Sequence, residues 1–181
     1  MVQLRKINRS SKKKIASPDY YKRLFAYNRK VFNAYLDALA TLPWKTFSKN
    51  MEASHYSMKN TLVHILTVYN GWLNYNVYGR SSEIPHKTEH NPESYNSIGD
   101  IRKFRDKVWL GVDELLGDLD DKLLLKKVKA PWLPGSHYVA DVLMQVSFEQ
   151  AHHIGEIIAL MWQLDIEPPE MTWIMNTRNM R

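Results

Sequence analysis

The sequence contains no cysteine, which removes disulfides, cysteine-based zinc sites, iron–sulfur clusters and thiol nucleophiles from its own chemistry. A reducing compartment suits that composition, and a cytoplasmic protein is expected. Glycine is scarce as well, at 7 of 181 residues, so collagen-like repeats and a loop-rich scaffold are excluded. No apolar run approaches the length of a membrane span, and the basic N-terminus has no apolar stretch behind it to serve as an export signal.

Acidic residues are missing ahead of Ser17, whereas Arg5, Lys6, Arg9, Lys12, Lys13 and Lys14 all lie there. These six account for the formal net charge of +6, and beyond them basic and acidic side chains balance. Residues 1–16 are therefore read as a basic, flexible arm, and nucleic-acid binding is not expected. The remaining residues, 17–181, have the size of a single domain. A hydrophobic content of 44% is enough to build its core.

Ser17-Pro18 has the form of a helix cap followed by a first-turn proline, and Tyr20, Leu24, Tyr27, Val31, Tyr35 and Ala38 then recur at steps of three and four. The spacing predicts a first helix ending near Leu42-Pro43. Residues 44–56 are polar and mixed, as in a connection. Ser57 stands before Met58, Leu62, Ile65, Leu66, Tyr69, Trp72 and Leu73, which predict a second helix reaching about Gly79. Residues 80–96, with Pro85 and Pro92, read as a long crossover loop.

Ser97 and Asp100 resemble a capping box ahead of Ile101, Phe104, Val108, Val112, Leu115 and Leu116, and this third helix stops near Gly117. Between Leu119 and Tyr138, Pro131, Pro134 and Gly135 indicate a loop or short hairpin. A fourth helix starts at Val139, carries Val142, Val146, His153, Ile157, Leu160 and Leu164 as its buried stripe, and ends before Pro168-Pro169. The tail, with Met171, Trp173 and Ile174, is expected to pack back briefly. Trp72, Trp109 and Trp162 are core candidates, and Gly155 in mid-helix suggests close approach of another helix. The expected fold is all-α, an up-and-down four-helix bundle with a long crossover loop between helices two and three.

Helix positions four apart lie about 40° apart around the axis and about 6 Å along it, so Glu149 and His153 can aim at one point. His152 and Glu156 form a second such pair, rotated by about 100°. His64 stands mid-helix among apolar neighbours, where an ionisable ring needs a reason. Spacing alone leaves two readings open: a surface pair with a hydrogen-bonded core histidine, or a metal site built from facing helices. Glu149-x-x-His152 also has the spacing of di-iron carboxylate bundles, which need a second such motif on another helix. Glu52-x-x-His55 and Glu83-x-x-His86 fall in expected loops and are read as coincidence. His137 and Tyr138, just ahead of the fourth helix, are placed to border the mouth of such a site.

The segment Leu62-Val63-His64-Ile65-Leu66, followed by Trp72-Leu73, resembles the second helix of the DinB-like (YfiT-like) metalloprotein family. His152-His153-Ile154-Gly155-Glu156 resembles that family's fourth-helix His-Arg-Gly-Gln motif. The resemblance implies a four-helix bundle, commonly a homodimer, that holds a divalent metal on one histidine of helix two and two of helix four. Carried over, His64 is the first ligand and His153 the last. Glu149 occupies the position where the family usually has histidine. Two histidines and a carboxylate still form a donor set for zinc, nickel or iron with positions left open. His152 and Glu156 are placed to orient a ligand imidazole or relay protons.

The activity so implied is metal-dependent hydrolysis or thiol-dependent transfer on a small-molecule substrate, with a low-molecular-weight thiol as a possible co-substrate. The alternative is a non-catalytic metal-binding, or metal-free, dimeric bundle that acts as a binding or sensor protein.

Overall fold

The computed structural model describes residues 17–79 and 91–177. The basic arm, most of the expected crossover loop and the Glu83-x-x-His86 pair lie outside the described residues. Helix α1 spans Pro18–Leu39; Ser17 Oγ accepts from the Tyr20 amide at 3.3 Å, and Pro18 fills the first turn, where no amide donor is needed. Its buried face is Tyr21, Phe25, Asn28, Val31, Phe32, Tyr35, Leu36 and Leu39, which keeps Val31 and Tyr35 of the expected stripe and leaves Tyr20, Leu24, Tyr27 and Ala38 at its margin. Tyr20 and Tyr27 instead meet Trp173, at ring-centroid distances of 6.5 Å and 5.1 Å. Two apolar strips therefore share this helix, one for the core and one for the C-terminal segment.

After α1 the chain makes a single helical turn, α2 (Trp44–Phe47), and a loop to Ser57. Helix α3 runs Met58–Tyr69, with Ser57 Oγ accepting from the Asn60 amide at 3.1 Å. The expected second helix does not continue as α-helix to Gly79: Asn70–Val77 widens into π-helical turns. Asn74 Nδ2 there donates to Asn70 Oδ1 at 2.9 Å and to the Val108 carbonyl at 3.3 Å. A Cβ on Gly111 would overlap the Asn74 side chain, so the glycine makes room for that side chain against the third long helix. Gly155 meets nothing within 4 Å and corrects the expectation of close approach at that position.

Helix α4 spans Ile98–Gly117 and opens on the expected box, with Ser97 Oγ accepting from the Asp100 amide at 3.1 Å and donating to Asp100 Oδ2 at 2.7 Å. A short α5 (Asp121–Leu124) leads to an antiparallel hairpin of β1 (Lys127–Ala130) and β2 (Leu133–Tyr138), so the fold is mostly helical but not all-α. Lys127 pairs with Tyr138, Val128 with His137 and Ala130 with Leu133, which leaves Pro131 and Trp132 as the turn. Helix α6 (Val139–Trp162) follows β2 directly, and α7 (Trp173–Thr177) ends the described chain.

The four long helices α1, α3, α4 and α6 surround one core that includes Phe25, Phe32, Leu66, Tyr69, Val112, Leu143 and Ile157. Trp109 is buried and Trp72 packs against this core, whereas Trp162 is 57% exposed and is not part of it. A polar thread crosses the apolar interior. Tyr69 Oη donates to Gln150 Oε1 at 2.7 Å, Gln150 Nε2 to the Asn28 carbonyl at 2.7 Å, and Asn28 Nδ2 to Ser147 Oγ at 3.0 Å. Because each bond needs its partner at one height, the thread fixes the register of α1, α3 and α6. Arg29–Asp113 and Arg102–Asp37 pair α1 with α4 at the surface. No helix among the described residues is long and apolar enough to cross a membrane.

Candidate metal centre

His64 lies half-buried in the middle of α3, and His153 is buried on the core-facing side of α6. Their rings meet at 4.6 Å between centroids and 81° between planes. A third imidazole joins them. His55, from the loop between α2 and α3, stacks on His64 at 3.9 Å and 21° and stands 4.9 Å from His153. One ring nitrogen from each of the three lies within 4.8 Å of the other two, close enough for a single ion to reach all three after small adjustments.

The loop is shaped to present His55. The Met51 amide donates to the Tyr56 carbonyl at 2.6 Å and the Tyr56 amide to the Ala53 carbonyl at 2.9 Å, which closes residues 51–56 into a tight bend. Glu52 and Tyr56 take left-handed backbone angles, φ 57° and 67°, a conformation that costs a non-glycine residue about 1 kcal/mol or more. What holds the bend against α6 is Ser54, whose Oγ donates to Glu156 at 2.8 Å and 2.9 Å to the two carboxylate oxygens.

Glu156 also meets His153 Nδ1 at 2.8 Å. A carboxylate there keeps the proton on Nδ1 and turns the Nε2 lone pair away from it, the arrangement that usually stands behind a metal-binding histidine. Burial pushes the Glu156 carboxyl up, but the hydrogen bonds from His153 and Ser54 outweigh it and hold the group below its ordinary range. On the other side of the ring, Glu149 Oε2 lies 3.4 Å from His153 Nε2, while Glu149 Oε1 accepts from Gln145 Nε2 at 2.7 Å. Two acceptors facing each other repel unless a proton or a metal ion lies between them.

Burial first, and neighbouring ring charges second, lower the His64 pKa from 6.5 to about 4. The same two causes lower that of His55. Both rings are therefore neutral near pH 7 with lone pairs available, as metal ligation requires. His152 points outward, 67% exposed, with Nε2 3.6 Å from Glu156 Oε1. With His153 and Glu156 it forms a second, more exposed group of possible ligands.

Of the residues singled out from sequence, His64, His153 and Glu156 are brought together and Glu149 flanks them. His55 is the addition. Its spacing from Glu52 is visible in the chain, yet Glu52 is exposed and makes no part of the group. The feature that places His55 is the bond between Ser54 and Glu156, 102 positions apart, which no local pattern encodes. Beside the histidines the surface opens. A hollow bordered by Phe148, His152 and His153 shares Gln145 and Glu149 with a cavity of about 470 Å³ that reaches His137, Trp72 and Trp132.

The DinB family model matches residues 11–179. No curated protein matches the chain. Among solved structures, a DinB-like protein from Bacillus cereus superposes with a TM-score of 0.69 at 19% identity, over 88% of this chain and 100% of that one. That likeness carries the fold, and the match along nearly the whole sequence carries the lineage: the chain belongs to the DinB family.

Proposed function

We propose that this chain binds a divalent metal ion and is a metal-dependent enzyme, a hydrolase or thiol-dependent transferase, working as an up-and-down four-helix bundle formed by residues 17–181. The observation that carries the reading is the convergence of His55, His64 and His153 from three separate elements within 4.8 Å. Glu149, set against His153 Nε2 at 3.4 Å, competes with His55 for the third ligand position. The donor set, three imidazoles with an adjacent carboxylate, suits zinc, nickel or iron.

A metal so bound supplies a Lewis acid that lowers the pKa of a coordinated water or thiol. The protein's own contribution is positional. Glu156 fixes the tautomer and tilt of His153, Ser54 fixes Glu156, and Gln145 holds Glu149 with one oxygen toward the histidines. His152, exposed beside Glu156, is placed to exchange protons with solvent. The neighbouring cavity gives a small molecule access to the centre, which favours an enzyme over a purely structural metal site.

Metal analysis of protein purified without a histidine tag tests the centre. Stoichiometric metal in the wild type and its loss in His64→Ala are expected; a metal-free wild type ends the proposal. Comparing His55→Ala with Glu149→Gln decides which group completes the site. Metal-dependent, saturable turnover of an electrophile with a low-molecular-weight thiol supports the transferase branch, and stoichiometric metal without any turnover supports a binding or sensor role. Light scattering checks the expected homodimer.

A further inference from the structure

We propose that the cavity between the hairpin and α6 binds a small organic ammonium compound with an aromatic or apolar body. Its walls are Trp72, Trp132, Leu133, Asp141, Gln145 and Glu149, among others, and its volume of about 470 Å³ is that of a small-molecule site. Trp132 occupies the two-residue turn of the hairpin and is 56% exposed. A single exposed indole needs no explanation, but this one borders a space that a small molecule can fill. Its ring stands edge-on to Trp72 at 5.3 Å and 79°. Gly71 lets the indole lie close to the helix: a Cβ there would already touch Trp132 Cη2 at 3.4 Å.

The opposite wall is one face of α6. Asp141, Gln145 and Glu149 succeed each other at steps of four, so they line up along the helix. Among the described residues that line the cavity there is no lysine or arginine. Indole rings facing carboxylates across a small apolar space are the recognition chemistry of organic cations. Asp141 and Glu149 disfavour an anion, and among the described lining residues His137 is the basic side chain set against them.

The cation belongs at the Asp141 end. Eight helical steps separate Asp141 from Glu149, about 12 Å along the axis, beyond the roughly 8 Å over which exposed charges act at physiological salt. A metal at the histidines therefore does not expel it. A ligand whose ammonium group rests between Trp132 and Asp141 extends its other end along Gln145 toward Glu149 and His153. Binding stands without the metal, whereas its use as a substrate site rests on the metal-centre reading.

The test uses the full-length chain, freed of metal by chelation, and titrates benzyltrimethylammonium, its uncharged isostere neopentylbenzene, and phenylacetate, followed by tryptophan fluorescence and calorimetry. The cation should bind saturably and about tenfold more tightly than the neutral compound, with no binding of phenylacetate. Trp132→Ala should weaken the cation about tenfold, and Asp141→Asn should reduce its advantage over the neutral compound. His64→Ala, which removes a metal ligand, should leave cation affinity unchanged, so failure of the metal centre and failure of this site read out separately. Equal affinity for cation and isostere, an unaffected Trp132→Ala protein, or loss of cation binding in His64→Ala would each overturn the proposal.

Discussion

His153 stands between two carboxylates, held by Glu156 on Nδ1 and faced by Glu149 near Nε2, and the Ser54 hydroxyl steadies the first of them. Removing that hydroxyl should loosen both His153 and the loop that carries His55. Ser54→Ala and Glu156→Gln are therefore expected to weaken zinc affinity by about 10- to 100-fold, measured by competition with a chromogenic chelator, with little change in helical content. His64 supplies a pH prediction. Its pKa is lowered from 6.5 to about 4, so between those values the unfolded chain binds more protons than the folded one. The stability conferred by the neutral ring is full above 6.5 and is lost as pH falls through 4. Melting of the metal-free protein across that interval should show a falling midpoint, and His64→Gln should flatten the slope. His64 and His153 drew notice in the sequence as polar rings in apolar helical stripes, and the family resemblance then singled them out. His55 was not, because its position depends on a partner on α6.

Elements were legible where a cap announced them: Ser17, Ser57 and Ser97 each stand one residue before a helix and accept from its first turn. Their faces were less so. On α1 the apolar residues form two strips, and spacing alone cannot tell which meets the core and which meets Trp173. The π-helical turns at Asn70–Val77 had no local signal either, since they follow from the fit of Asn74 against α4 at Gly111. Two glycine substitutions separate these cases. Gly111→Ala collides with Asn74 and should destabilise the fold by about 1–3 kcal/mol. Gly155→Ala enters open space in mid-helix and should stabilise it by about 0.5–1 kcal/mol. Denaturant titration of both variants against the wild type checks the pair.

At the scale of the whole molecule, four long helices, one core and a polar thread through it place the histidines at one edge, beside an open cavity. The mostly helical fold was legible in the periodicity of its segments, while the prolines and glycine between Leu119 and Tyr138 left a loop and a short hairpin both open and did not show that the hairpin walls a cavity. Ligand binding to the folded state alone raises stability by mass action. Zinc at a hundred times its dissociation constant should add about 2.7 kcal/mol, or roughly 5–10 °C in melting temperature for a chain of this size. Scanning calorimetry with zinc and with chelator reads the difference, and identical curves would argue against a site.

The three imidazoles have one more consequence, because His153 lies far along the chain from His55 and His64. An ion held by His55, His64 and His153 would tie a loop, its following helix and a helix on the order of ninety residues later into one closed ring. In a protein without cysteine this is a reversible cross-link, and closing a ring of that size in the unfolded chain removes entropy worth about 4–5 kcal/mol when the link survives unfolding. Metal supply would then govern how far the chain can open, and so how readily proteases reach it.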